Sequence, residues 1–211
     1  MQRKRTQAER SAATRTALVA AARPLFAARG YANVGTEELV RAAGVTRGAL
    51  YHQFAGKEEL FAAVFEQVEA EVAERIGRAL GGAGPDATGP ADPMGGLRSG
   101  VAAWLDAVDD PEGQRIVLID APAVLGWDRW REVALRYAGG MVQGVLRAAM
   151  DAGQLAERPV EPLAHVLLGG LDEAALYVAQ ADDRAAARAA VEDVLGAMLA
   201  GLGTSGDAPG M

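Results

Sequence analysis

The chain contains no cysteine, which excludes disulfides and thiolate chemistry and fits a cytosolic home. Aromatics are scarce, with four Tyr, four Phe and three Trp in 211 residues, and strand-favouring runs of Val, Ile and Thr are nearly absent. Only two histidines occur, and no Ser-His-Asp spacing, His-Glu-x-x-His or paired-carboxylate pattern stands out, so no enzyme, metal site or cofactor is expected. Asp109-Asp110 and Asp182-Asp183 fall at expected helix ends, where solvated turns account for them. Long apolar runs are also missing. The longest uncharged stretch, Val194–Gly206, is thirteen residues, too short to span a bilayer. The early run "TALVAAA" is cut by Arg23 before it becomes an export signal. A soluble, cytoplasmic protein is the expectation, and the excess of nineteen arginines over two lysines points toward a GC-rich bacterial genome.

What the chain has is alanine and leucine, strong helix formers, within a composition that is 50% apolar. An all-α fold follows, in a chain long enough to bury a real core. Charge is divided unevenly. Residues 1–60 hold ten Lys/Arg against five Asp/Glu, whereas residues 61–211 hold eleven against twenty-three. A basic head on an acidic body suggests that the head meets a polyanion, although an ordinary solvated surface would also carry such an imbalance.

Residues 1–10 read as a flexible basic arm. A helix is expected from about Ala12 to Arg29, with Leu18, Ala22, Leu25 and Phe26 on one face, ended by a left-handed cap at Gly30. Pro24 should kink it by removing the bond to the Ala20 carbonyl. Two short helices follow, 36–43 and 47–53, with Thr36 and Thr46 as capping residues and Gly44 between them. Lys57 then opens a long amphipathic helix carrying Leu60, Val64, Val68, Val72, Ile76 and Leu80. The Gly/Pro-rich stretch 81–96 reads as a mobile loop. Helical stretches are expected near 97–108, 111–121, 127–152, 161–181 and 184–202, with Pro122 biasing Ala121 away from helix. A disordered tail at 203–211 closes the chain.

The two short helices joined at "GVT" are a helix-turn-helix. Leu39, Ala43, Val45, Leu50 and Phe54 supply anchors that pin the second helix by one side. Arg47, Gly48, Ala49, Tyr51 and His52 are left facing outward, toward a groove rather than a core.

The segment "LFAARGYANVGTEELVRAAGVTRGALYHQFAGKEELFAAV" (25–64) resembles the DNA-binding domain of the TetR family of bacterial transcriptional regulators. The resemblance rests on F-x-x-x-G-Y at the end of helix one, A-G-V-T at the turn, G-A-L-Y on the recognition helix and F-x-x-K-E-x-L leading onward. It implies that Thr36 meets a phosphate, that Thr46, Arg47 and Gly48 meet the major groove, that Tyr51 and Lys57 hold phosphates, and that His52 touches backbone or a base edge. Arg47 is the expected base reader, because a guanidinium grips guanine O6 and N7 together. Arg3, Lys4 and Arg5 are candidates for a further contact. Thr36 and Thr46 also suit plain caps, and Tyr51 would equally pack flat on the domain. Val40 stands where the family usually has alanine, and Gln53 where it often has histidine.

The expected organisation is therefore a three-helix reading domain at 11–56, followed at 57–202 by a larger helical domain for effector binding and dimerisation. "VLIDAPAVLGWDRWREV" (117–133) looks like one branch of the family's C-terminal domains, which bind a small ligand and dimerise through their last two helices. Two apolar stripes support a homodimer independently: Leu163, Val166, Leu167, Leu171, Ala174 and Val178, and Val191, Val194, Leu195, Met198 and Leu202. Small residues among them let four helices approach closely. Such a dimer sets its reading helices about one DNA turn apart, ~34–36 Å or a multiple, and so implies a palindromic operator. Trp104, Trp127, Trp130, Tyr137, Met141, His165 and Tyr177 are candidates to line a pocket for a largely apolar effector, and equally suit a core. Asp120 joins them because a carboxylate in the apolar run "IVLIDAPAVL" needs a partner if buried. The expected function is a repressor released from its operator by that effector. The alternative is a DNA-binding dimer indifferent to ligand, which a solidly packed 97–181 region would favour.

Overall fold

Thr6 opens the first helix because its side chain and that of Glu9 satisfy each other's backbone amides, Thr6 N–H to Glu9 Oε2 at 2.7 Å and Glu9 N–H to Thr6 Oγ1 at 3.2 Å. The computed structural model of the chain describes residues 6–80 and 92–203. Helix α1 spans Gln7–Arg29. It therefore starts inside the stretch expected to be a free arm, and the capping box Thr6-x-x-Glu9 is the reason. Arg3, Lys4 and Arg5 lie outside the described residues, as does most of the expected 81–96 loop and of the tail. Pro24 sits within an unbroken α1. Both Pro24 and Ala20 are exposed, so the carbonyl deprived of its donor faces solvent. Leu18, Ala22 and Phe26 are buried as the helical spacing requires, while Leu25 is half-buried.

Next come a 3₁₀ turn (Tyr31–Asn33), α2 (Thr36–Ala42), α3 (Arg47–Gln53) and α4 (Lys57–Ala79). The later helices are α5 (Pro93–Asp109), a short α6 (Pro111–Gly113) running into a π-helical segment Gln114–Asp120, α7 (Ala121–Leu125), α8 (Trp127–Ala134), a second π segment Leu135–Gly139, α9 (Gly140–Asp151), α10 (Val160–Gln180) and α11 (Arg184–Leu202). Among the described residues no strand forms, and the all-α class holds.

The chain divides into two compact units, and they are not consecutive. The first joins the residues up to Glu69 to Asp110–Val133; the second joins Ala70–Asp109 to the residues from Ala134 onward. The expected boundary at 56/57 thus falls inside the first unit. Its core is Leu18, Phe26, Leu39, Leu50, Leu60, Phe61, Val64 and Phe65, together with Ile116 and Val117 from the returning segment, each at most 1% exposed. Phe26, Tyr31 and Phe61 form a triangle of rings with centroids 5.3–5.9 Å apart, within the range where edge-to-face packing is favourable.

Pro122 does not interrupt the first unit. Ala121 before it is helical, with its amide on the Ile116 carbonyl, and the Val117 carbonyl, one π turn before Pro122, accepts instead from the Trp130 indole N–H at 3.0 Å. The break comes instead at Gly126, with φ +78°.

In the second unit α5 packs on α9 and α10, and α10 packs on α9 and α11. Helix α5 begins at Pro93, within the stretch expected as loop. Asp92 explains the start: it accepts a backbone hydrogen bond from Gly95, which chiefly holds its carboxyl below the usual range, and Pro93 suits the first helical position. Arg188 Nη2 reaches Asp106 at 2.6 Å and so joins α11 to α5.

Candidate DNA-reading surface

Helix α2 ends in a Schellman cap: Gly44 N–H returns to the Arg41 carbonyl and Val45 N–H to the Val40 carbonyl at 3.0 Å. Gly44 has φ +65°, a conformation that costs a side-chain-bearing residue about 1 kcal/mol or more. The turn is thereby fixed tightly enough to aim α3. Thr46 starts α3 as its N-cap, accepting from Ala49 N–H at 3.2 Å. Thr36 is not a cap: Gly35 holds that position without a side-chain bond, and Thr36 is the first helical residue, half-buried.

Leu50 and Phe54 bury the inner side of α3, and Leu39 and Val40 bury that of α2. Two contacts from α1 hold the end of α3: Arg15 places its guanidinium 4.3 Å from the Phe54 ring centre, and Gln53 donates to Ser11 Oγ at 2.8 Å. The outer side is free, with Thr46, Arg47, Gly48, Tyr51 and His52 all exposed. Arg47 reaches Glu37 of α2 at 2.9 Å, both side chains being more than 60% exposed, and its guanidinium lies 5.6 Å from the Tyr51 ring centre. An ion pair so exposed contributes little, so the guanidinium is readily surrendered to a better acceptor.

Lys57 is engaged differently from the other polar candidates. Its ammonium donates to the Tyr31 carbonyl at 2.9 Å and the Val34 carbonyl at 3.0 Å, and it lies 3.9 Å from the Tyr31 ring centre. Burial lowers its pKa below the ordinary value. Two of its three donors are spent inside the protein, leaving one for a phosphate.

The eight pocket candidates are divided between the two units. Asp120, Trp127 and Trp130 belong to the first unit. Trp130 is buried and donates to the Val117 carbonyl at 3.0 Å; the Trp127 ring lies 4.9 Å away at a tilt of 52° and is 62% exposed. Asp120 finds its partner in the Tyr31 amide, 2.6 Å away. In the second unit Trp104 is buried with its indole N–H on the Leu171 carbonyl at 3.3 Å. His165 and Tyr177 are exposed on α10, and the His165 ring nitrogen Nδ1 contacts the Glu161 carbonyl oxygen. Tyr137 and Met141 come together, lining with Ala70, Ala73, Glu74, Gly77 and Arg78 an open groove of about 490 Å³. The reason for the dispersal is that indole N–H groups here satisfy core carbonyls, which a helical spacing pattern does not distinguish from cavity lining.

Sequence reasoning missed Ser11, Arg15, Tyr31 and the role of Asp120. Tyr31 was visible only as part of the Gly-Tyr motif; the ties to Arg15 and Asp120 join positions far apart in the chain and leave no local trace.

A short helix buried on one side, capped by a threonine and aimed by a glycine turn, with its polar side left open, defines a helix-turn-helix DNA-binding head. Residues 18–64 match the family model described as bacterial regulatory proteins, tetR family, and residues 94–202 match the tetracyclin repressor-like C-terminal domain. A TetR-family transcriptional regulator from Pectobacterium atrosepticum, known from its crystal structure, is 37% identical, with a TM-score of 0.78 over 95% of this chain and 99% of that one. The Transposon Tn10 TetC protein of Escherichia coli is 26% identical over 84% of this chain and 86% of its own. The HTH-type transcriptional regulator CymR of Pseudomonas putida is 42% identical over 35% of this chain and 36% of its own. The chain belongs to the TetR family and is a DNA-binding transcriptional regulator.

Proposed function

We propose that the chain is a cytoplasmic repressor that grips a palindromic operator as a homodimer and lets go when a small, largely apolar effector binds its second unit. The observation carrying the DNA half is the exposed row on α3, with Arg47 reading a base edge and Thr36, Tyr51, His52 and the remaining Lys57 donor meeting the backbone. Dimerisation is supported by large apolar side chains standing exposed on the last two helices: Val166 at 67%, Tyr177 at 59%, Val194 at 55% and Met198 at 52%. Apolar faces of this kind are what a four-helix interface covers.

The effector half rests on the groove between Tyr137 and Met141 on one side and α4 from Ala70 onward on the other. An effector acts by preferring the conformation in which the reading helices are misplaced, and weakens operator binding by the ratio of its two affinities. A second reading, a dimer that binds DNA without any ligand, is favoured by the openness of that groove, since ligand pockets usually enclose most of their guest.

Selection of duplexes from a random library by the purified chain tests the proposal. A two-fold symmetric consensus with half-sites one turn apart supports it; a consensus without symmetry contradicts the dimer reading. Screening small apolar compounds for release of that duplex separates the two readings.

A further inference from the structure

We propose that Asp120 is a positioning residue for duplex binding: its carboxylate holds the Tyr31 amide and so fixes the turn leading from α1 into the reading helices. The inference rests on the reading of α3 as the duplex-facing helix.

Where α1 ends, the Gly30 amide returns to Phe26 and the next donor along the chain, Tyr31 N–H, is turned away from the helix. Asp120 Oδ2 takes it at 2.6 Å from a position 89 residues later in the sequence. A partly buried amide on a carboxylate is a charge-assisted bond, roughly twice as strong as a neutral one. Gly30 supplies the backbone conformation that the turn needs. Its φ of +75° and ψ of 157° lie in a region essentially confined to glycine, and a Cβ there would stand 3.4 Å from Asp120 Oδ2 and 3.5 Å from Arg115 Nη1.

The turn so held leads directly to the reading helices. The Tyr31 and Val34 carbonyls both rest on the Lys57 ammonium, and Val34, 1% exposed, stands two residues before α2 begins. The turn is therefore gripped by Lys57, by the Phe26 and Phe61 rings, and by Asp120. Of these, Asp120 alone comes from the returning segment, outside the sequence of the reading head.

The segment that delivers Asp120 is unusual. Gln114–Asp120 is π-helical, and π turns are rare and frequent at functional sites. The wider turn lets three successive side chains, Ile116, Val117 and Leu118, all be buried, while Ile119 is 42% exposed and Asp120 comes back onto the Gly30–Tyr31 turn. An ordinary α-turn through the same residues would carry Asp120 to a different angle. Packing of the segment does not need the carboxylate: Arg23 pairs with Glu112 at 2.6 Å and Trp130 holds the Val117 carbonyl.

The test compares wild type, Asp120→Ala and Asp120→Asn as full chains, measuring affinity for the duplex of about 30 bp that the wild type enriches from a random library, and hydrogen exchange at the Tyr31 amide. Expected for Asp120→Ala are roughly tenfold weaker binding and exchange at least about tenfold faster. Asp120→Asn, which keeps a neutral acceptor, should recover most of both, to within about threefold of wild type. Should the alanine variant fail to fold, Asp120→Ser, whose side chain is too short to reach the Tyr31 amide, takes its place: weaker binding and faster exchange together support the proposal, and wild-type values for both overturn it. Faster exchange with unchanged affinity, or lost affinity with unchanged exchange, also overturns it, because the two are then uncoupled. A wild-type chain that enriches no duplex at all sinks the DNA reading itself and is recognised before any variant is made.

Discussion

Arg47 and Lys57 are both cations on the reading head, yet the structure assigns them unlike surroundings, and their variants should separate. Arg47 is exposed, pairs with Glu37 and lies against Tyr51. Arg47→Ala should leave thermal stability close to wild type and relax preference at one base position by roughly tenfold, read by comparing mismatched duplexes. Lys57 holds two carbonyls. Lys57→Ala strands both, so unfolding by denaturant should show a loss of about 1–3 kcal/mol, together with weaker binding to every duplex irrespective of sequence. The resemblance alone gives Lys57 the phosphate role; its internal role depends on where the Tyr31–Val34 turn runs, which no single-position pattern encodes.

At the scale of elements, α3 is held by a cap and by its neighbours. Thr46→Ala removes the bond to the Ala49 amide and should cost about 1 kcal/mol in denaturant unfolding. Helix α8 is joined to α4 by Arg129 and Glu59 at 2.8 Å. The hydrogen bond from Arg129 is the main reason the Glu59 carboxyl titrates below its ordinary value of 4.5. A lowered carboxyl pKa stabilises the fold above the ordinary value and stops doing so as pH falls through the lowered one. Both side chains are over a third exposed, so screening limits the effect to about 1 kcal/mol. Wild type and Arg129→Ala should therefore differ in stability at pH 6, and the difference should shrink as pH falls below 4.5.

The helices themselves were legible from alanine-leucine periodicity, and α11 falls where the spacing put it, at Arg184–Leu202. Their starts are encoded by local caps: Thr46 before α3, Thr6 with Glu9 before α1, and Asp92 with Pro93 before α5. The π segments were not legible, because three buried neighbours at 116–118 reflect packing against α1 rather than any period of the sequence. The outer face of α3 was legible because its anchors are local. Of the residues named for a pocket, Tyr137 and Met141 line the groove; a tryptophan in a core and one in a cavity share the same helical spacing, so the pattern does not separate them.

For the whole molecule, the exposed apolar side chains of α10 and α11 predict association. Met198→Glu or Val166→Glu would place a charge on that face, and sedimentation should shift from twice 21.9 kDa toward the monomer, with duplex affinity falling along with it. The returning segment 110–133, part of the first unit despite its distance in sequence, means that the reading head is not finished at the end of its motif; Asp120 is the expression of that at a single atom.

The most direct measurement is the affinity of the wild-type chain for its selected duplex at 50 and at 200 mM salt. With about six phosphate contacts across a dimer, binding should weaken by roughly 10³-fold over that range as counterions return to the DNA. An affinity that stays flat with salt, or no binding to any duplex at 50 mM, would contradict a protein whose outer helix is built to lie in a DNA groove.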